Sequence, residues 1–410
     1  MLVRLAWRNL WRNRLRTAIM LGAMVFGLMG VVTLIGFVNG LYGNMIQNAI
    51  AWQTSHLQIH NRTYLTHPDI KDIIVDPAPL LDALSHDEAV LAWSARFVAD
   101  GMVASARSTR GVRITGVDPA AEAAVTPVAR RLTEGQWLDE NGRNPVVLST
   151  KTAQRLKLRL GSKVVLTFTD AEGEVTGAAF RVRGLFQSPS SAYDDGHLFV
   201  RRSDLTALAG IEGYHEIAVV TTDGDYQSQA ATEALKARLS RLSDPANRVR
   251  DWRTVQPMLA AILGQMGTSN AIILGIYVLA MSFGIVNVML MSVFERTREF
   301  GVLMAVGMTK GRIFTLLLLE SGLLGLCGGL IGVLACLGLM AALSVTGIPL
   351  GSWAEGLGAF GADTQLYPSV RTADYAMMLL TVLAASVLAA LYPARQILKQ
   401  RPVDAMAHKL

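Results

Sequence analysis

Four stretches of this 410-residue chain are almost free of charge, and they limit what it can fold into. Thr17–Gly43, Thr254–Phe294 and Tyr375–Ala394 contain no Asp, Glu, Lys or Arg, and Ile313–Ala354 contains only Glu320. The apolar part of the second begins near Ala271. A helix rises about 1.5 Å per residue, so crossing a bilayer takes about 20 mostly apolar residues. The pattern predicts four spanning helices, at 18–42, 270–294, 313–344 and 374–394. Charged residues make up only 17% of the chain, where soluble domains carry about a quarter. That deficit argues against a soluble enzyme, a disordered chain or a disulfide scaffold.

The formal net charge of +6 could suggest nucleic-acid binding, so its placement matters. Arg4, Arg8, Arg12, Arg14 and Arg16 precede the first span. Arg296, Arg298, Lys310 and Arg312 outnumber Glu295 and Glu299 between the second and third. Arg395, Lys399, Arg401 and Lys409 outnumber Asp404 after the fourth. The loop between the third and fourth spans is acidic, with Glu355, Asp363 and Asp374 against Arg371. The positive-inside rule then predicts cytoplasmic termini (1–17 and 395–410) and a cytoplasmic 295–312 loop. The segment 43–269 and the loop 345–373 fall outside. The basic balance reads as a membrane-orientation signal, with no nucleic-acid partner. At about 25 residues the first apolar stretch exceeds a signal-peptide core, although Ala49-Ile50-Ala51 has the form of a cleavage site.

The 43–269 segment reads as α+β. His56, Gln58 and His60 alternate with Leu57 and Ile59, as in a strand with one exposed polar face. Strand-like runs recur at 89–98, 111–117, 145–149, 163–169, 179–187 and 197–201, with a hairpin loop at Asp170–Glu174. Ser149–Leu160 reads as a helix capped by Ser149. A strand at 215–222, a helix at 226–242 and a strand at 247–253 form a β-α-β unit. Both edges look helical. Leu41, Met45, Ala49 and Trp52 fall near one face, as do Val255, Leu259, Ile262 and Met266, which predicts a stalk. The segment has no cysteine, since Cys327 and Cys336 both lie in the third span.

No catalytic constellation is legible. The 410 residues contain no G-x-x-x-x-G-K-[ST] loop and no G-x-S-x-G, and His215-Glu216 lacks the second His of a zinc-protease motif. His56, His60 and His67 could be imagined as metal ligands, but a solvated strand face is the plainer account. Asp194-Asp195 before Gly196 marks a turn.

Other motifs carry more. The N-terminal segment places arginines at 4, 8, 12 and 16 beside Val3, Trp7, Trp11 and Leu15. It is either an orientation signal or an interfacial elbow helix with Trp at headgroup level. The 295–312 loop starts charged (Glu295, Arg296, Arg298, Glu299) and becomes apolar at helical spacing (Phe300, Leu303, Met304, Gly307). A short helix docking into a partner's cleft and an ordinary interfacial loop both fit. Glu320 lies roughly 10 Å into the third span, where an ionisable group faces a bundle interior or a partner. Gly325, Gly328, Gly329 and Gly332 form a small-residue face with two G-x-x-x-G spacings, and Gly36 and Gly40 form another.

Together these features resemble the FtsX-like permease family, which includes the lipoprotein-releasing and MacB-type permeases. The resemblance rests on AWRNLWRNRLRT, ERTREFGVLMAVGMTKGRI, LLLESGLLGLCGGLIG and YPARQILKQRPVDAMAHKL, and in the outer segment on ITGVDPAAE, VVLSTKTAQRLKLRLGSKVVLTF and FRVRGLF. It implies a membrane α-helical bundle of four transmembrane helices. A large α+β, MacB-like periplasmic domain is inserted between the first and second. It also implies a non-catalytic permease subunit of an ABC transporter in the bacterial inner membrane, paired with a second permease, identical or related. Two cytoplasmic ATPase subunits, which use ATP and Mg, would drive it, and a periplasmic carrier or adaptor is a further partner. No cofactor or metal is implied for this chain. Glu295, Arg296, Arg298, Glu299, Phe300, Gly301 and Leu303 would face the ATPase. The expected cargo is a lipoprotein. The alternatives are macrolide or peptide efflux and non-transporting regulation of a cell-wall hydrolase.

Overall fold

The computed structural model describes residues 2–222, 226, 230–351, 356–358 and 361–399. They fall into two compact units, Met1–Leu41 with Gly264–Ile348 and Leu366–Leu410, and Tyr42–Leu263 with Pro349–Gln365.

The first unit is helical. Among the described residues, four helices are long and apolar enough to cross a membrane: Arg14–Ala49, Pro257–Glu295, Lys310–Thr346 and Thr372–Lys399. Two short helices accompany them, Leu2–Leu10 before the first and Thr297–Ala305 between the second and third. Glycines set how closely the long helices approach. A Cβ at Gly325 would lie 2.3 Å from Ser386 Oγ, and one at Gly329 2.7 Å from Leu379, both on the fourth long helix. A Cβ at Gly328 would meet Met24 at 3.0 Å, and one at Gly332 Leu28 at 2.8 Å, both on the first. The two G-x-x-x-G spacings thus serve two different neighbours in the same chain. Gly40 approaches the Tyr367 backbone so closely that a Cβ would lie 2.4 Å from its carbonyl oxygen.

The second unit is the inserted α+β domain. Its strands are β1 (Leu57–Asn61), β2 (Val90–Ala104), β3 (Thr109–Val117), β4 (Leu132–Gly135), β5 (Pro145–Ser149), β6 (Lys163–Thr169), β7 (Val175–Phe186), β8 (His197–Arg201), β9 (Glu216–Thr221) and β10 (Asn247–Asp251). The order β10-β1-β9-β2 makes a wholly antiparallel sheet. Helices Ala78–His86 and Ala230–Leu242 join β1 to β2 and β9 to β10. This is a split β-α-β arrangement, with β1 lying between the two strands of the second β-α-β unit. Leu57, Ile59, Ile217 and Val219 face these helices and pack on Leu80, Leu84, Leu235 and Leu239.

The fifteen-residue β2 belongs to two structures. Val90–Arg96 pairs with β9, and Phe97–Ala104 pairs with β3. From there the strands close a circuit, β2-β3-β8-β5-β7-β6 and back to β2, which is a six-stranded barrel. Val164, Leu166 and Phe168 on β6 point inward at every second residue, as a barrel wall requires.

Local chemistry explains several boundaries. Ser149 Oγ accepts from Thr152 N–H at 3.0 Å, as its predicted capping role requires. That helix stops at Leu156, short of the predicted 160, because Lys157 adopts a left-handed conformation (φ 55°). Asp170 accepts backbone N–H groups from Glu172 and Glu174 and closes the β6–β7 hairpin. At the predicted stalk, Ile46 and Ile50 pack with Leu259, Leu263, Trp252 and Tyr226. Trp52 packs elsewhere, against Phe186 and Tyr193.

One expectation is corrected. The polar face of β1 is buried: His56, Gln58 and His60 are 7, 3 and 0% exposed. His60, Glu216 and Arg96 lie in register across β1, β9 and β2, and the Pro119–Val125 helix brings Glu122 onto them. Arg96 binds Glu122 at 2.8 Å and also pairs with Glu216, while His60 Nε2–H donates to Glu216 at 3.3 Å. Burial opposes ionisation of Glu216, but the Arg96 charge and the His60 hydrogen bond hold it at about 2. Asp194 is likewise more than a turn residue. It is buried in the Ser191–Gly196 helix and accepts from Ser188 N–H at 3.1 Å.

Candidate functional site at a charged helix junction

The candidate site lies in the helical unit, where the chain folds back twice. Leu2–Leu10 ends in a turn, and Thr17 Oγ–H donates to the Leu10 carbonyl. The second long helix ends at Glu295, and Arg296 leaves helical geometry (φ −105°, ψ 9°) before Thr297–Ala305 begins. That short helix ends because Gly307 takes φ 102°. Met308 N–H then reaches the Leu303 carbonyl at 2.9 Å and Gly307 N–H the Met304 carbonyl at 3.1 Å, the paired bonds of a Schellman motif.

Six charged side chains meet at this junction, three of each sign. Arg12 donates to Glu299 at 2.9 Å, and Arg16 to Glu295 at 2.7 Å. Arg296 bridges Glu299 at 3.1 Å and Glu320 at 3.2 Å, with its guanidinium 5.2 Å from the Phe300 ring. A continuous path therefore runs Arg12–Glu299–Arg296–Glu320, from the N-terminal turn through the short helix to the third long helix. The hydrogen bond from Arg12 holds the Glu299 carboxyl below the usual carboxylate range. A cavity of about 260 Å³ opens beside the path, lined among others by Asn9, Arg16, Ser292 and Glu320.

The residues expected to face an ATPase separate into two groups. Arg298 is exposed, and Glu295 and Glu299 are exposed while held in ion pairs. Arg296, Phe300 and Gly301 are buried within the helical unit. Phe300 packs against Ile285, Met289 and Val293 of the second long helix and Ile313 and Leu317 of the third. Leu303 and Met304 are partly buried against the same cluster. The apolar spacing that suggested an external cleft is satisfied by the bundle itself. Arg298, Val302, Ala305 and Val306 form the outward face instead. Glu320 is 7% exposed and paired inside the bundle.

Sequence reasoning missed Arg12 and Arg16 as partners of the loop acids and counted them only as orientation charges. Their predicted position on the same side as Glu295 and Glu299 was the available signal.

Four long apolar helices, with an α+β domain inserted in the chain between the first and second and a charge-locked loop helix, make this a multi-pass membrane protein of permease type. Residues 17–238 match the MacB-like periplasmic core domain and residues 271–402 the FtsX-like permease C-terminal domain. The chain belongs to the FtsX-like permeases of ABC transporters that carry a MacB-like core domain.

Among similar proteins, the uncharacterized ABC transporter permease MJ1507 of Methanocaldococcus jannaschii is 27% identical over 49% of this chain and 49% of its own length. The pyoverdine export ATP-binding/permease protein PvdT of Pseudomonas syringae pv. tomato is 24% identical over 83% of this chain and 52% of its own. The match thus spans about half the length of these two relatives. The uncharacterized ABC transporter permease YvrN of Bacillus subtilis is 22% identical over 84% of this chain and 88% of its own. Among solved structures, the periplasmic region of MacB from Actinobacillus actinomycetemcomitans aligns over 53% of this chain and 97% of its own, at 16% identity and TM-score 0.37.

Proposed function

We propose that this chain is the membrane subunit of an ATP-driven exporter of amphiphiles, with lipoproteins as the leading substrate class. Both termini and the 295–312 loop lie in the cytoplasm, where a pair of ATPase subunits docks on Arg298, Val302, Ala305 and Val306. A second permease, identical or related, completes the assembly. ATP binding pushes the Thr297–Ala305 helix, and the push reaches the spanning helices and through them the periplasmic domain. The observation that carries this reading is the ion-pair path Arg12–Glu299–Arg296–Glu320, because it ties the loop helix to the bundle. A loop that only capped two spans would need no buried charge pair. Export as the process is supported by the names of relatives, which include pyoverdine and macrolide exporters.

The test is co-purification with the ATPase followed by ATP turnover in lipid. Val302→Arg should abolish co-purification. Glu320→Gln should keep the ATPase bound and lose substrate-stimulated turnover. Turnover raised by a lipoprotein supports that cargo, and turnover raised only by a macrolide or peptide replaces it. If no ATPase co-purifies with the unaltered chain, the proposal fails.

A further inference from the structure

The N-terminal helix Leu2–Leu10 presents two different faces. Ala6 and Leu10 are buried within the helical unit. Val3 and Trp7 are 55 and 44% exposed, and Trp11 follows with its ring 5.9 Å from that of Trp7. Together with Leu323 of the third long helix, Val3 and Trp7 line a groove of about 400 Å³ whose surface is almost wholly apolar. Arg4 and Arg8 complete its lining. They stand four residues apart, so both guanidinium groups fall on one side of the helix.

These two arginines differ from their neighbours. Arg12 and Arg16 each have a glutamate. Among the described residues, Arg4 and Arg8 have no ion pair and no side-chain hydrogen bond. An apolar groove holding an exposed tryptophan, in a unit of helices long and apolar enough to span a membrane, suits a lipid environment, and tryptophan favours headgroup depth. Two uncompensated guanidinium groups at that depth demand an anion. The groove demands a hydrocarbon chain attached to it.

We propose that this groove binds one anionic phospholipid. An acyl chain lies against Val3, Trp7 and Leu323, and the phosphate accepts charge-assisted hydrogen bonds from Arg4 and Arg8. Zwitterionic lipids fit less well, because their own cation competes with the arginines for the phosphate. The bound lipid joins the N-terminal helix to the third long helix. The inference rests on the helical unit being in a membrane and is independent of ATPase docking.

The experiment is native mass spectrometry of the full-length protein, released from bilayers of equal phosphatidylglycerol and phosphatidylcholine. Retained lipid should be strongly enriched in phosphatidylglycerol. Arg4→Gln and Arg8→Gln should each lower that retention about fivefold. Leu323→Trp should lower it with every charge intact, by filling the groove. Arg14→Gln, exposed but outside the groove, should leave it unchanged. Circular dichroism of each variant confirms that the helices remain. Equal retention of the two lipids overturns the proposal, as does a loss with Arg14→Gln that matches the loss with Arg4→Gln.

Discussion

Arg96 shows how much one residue can hold. Its guanidinium satisfies two carboxylates, the buried Glu122 from a helix and the partly buried Glu216 from a strand. Arg96→Met would leave both without their cation in a dry site, at a cost of about 3–5 kcal/mol. Chemical denaturation of the inserted domain should show the loss. A variant within 1 kcal/mol of wild type would mean that solvent stabilises the two carboxylates once the guanidinium is gone. His197 sets a pH dependence. Burial lowers it to about 4, against the Nδ1–H hydrogen bond to the Tyr193 carbonyl. Between pH 6.5 and about 4 the unfolded chain takes up a proton that the folded one refuses. The contribution is therefore complete above 6.5 and shrinks as pH falls, by on the order of 2 kcal/mol at pH 5. His197→Asn should flatten the thermal stability profile of the domain across that window. Asp194, raised to about 6 by burial, has the opposite sign, so Asp194→Asn should steepen the loss on acidification. None of these roles was legible in sequence. An alternating His-Gln-His strand reads as solvated until a second layer is known to cover it.

Among the elements, the third long helix carries the clearest sequence signal. Its glycine spacing pointed to close packing without naming the partner. The structure uses each spacing against a different helix, so the face is filled within one chain. Gly325→Ala would drive a methyl group into Ser386, and overpacking of this kind costs about 1–3 kcal/mol. Gly338→Ala on the same helix meets nothing within 4 Å and should show only the helix-propensity gain, about 0.5–1 kcal/mol. Thermal unfolding in detergent, measured on both variants, separates packing from helix propensity. Equal effects would refute the packing account. The Thr297–Ala305 helix teaches the converse. Its apolar period was visible, but periodicity gives a face and not the surface that receives it. Here Phe300 is received by Ile313 and Val293 within its own chain.

For the whole molecule, the spans were legible because charge-free length is a global constraint that few local exceptions can blur. The β-α-β unit at 215–253 was legible for a similar reason, since its strands and helix differ sharply in period. Barrel closure was not. It depends on Gly101–Ala104 of β2 pairing with Val165–Phe168 of β6, a contact between residues some sixty positions apart. The inserted domain has its own cores, one inside the barrel and one between sheet and helices. A fragment covering 56–252 should therefore fold by itself, remain soluble and unfold in one cooperative calorimetric transition. Broad, non-cooperative melting would show that the helical unit is needed to complete it.

The register of β2 has a further consequence. The chain enters the barrel after Arg96 and returns from it at Glu216, and these two residues are direct partners across the sheet. Everything between them is a cassette whose two ends already lie where a tight turn would place them. A short hairpin joining Arg96 to Glu216 would keep every strand pair of the four-stranded sheet and its two helices, although Arg96 would lose Glu122 and keep only Glu216. The barrel can be exchanged for another module, larger or smaller, without changing a single strand pair in its host.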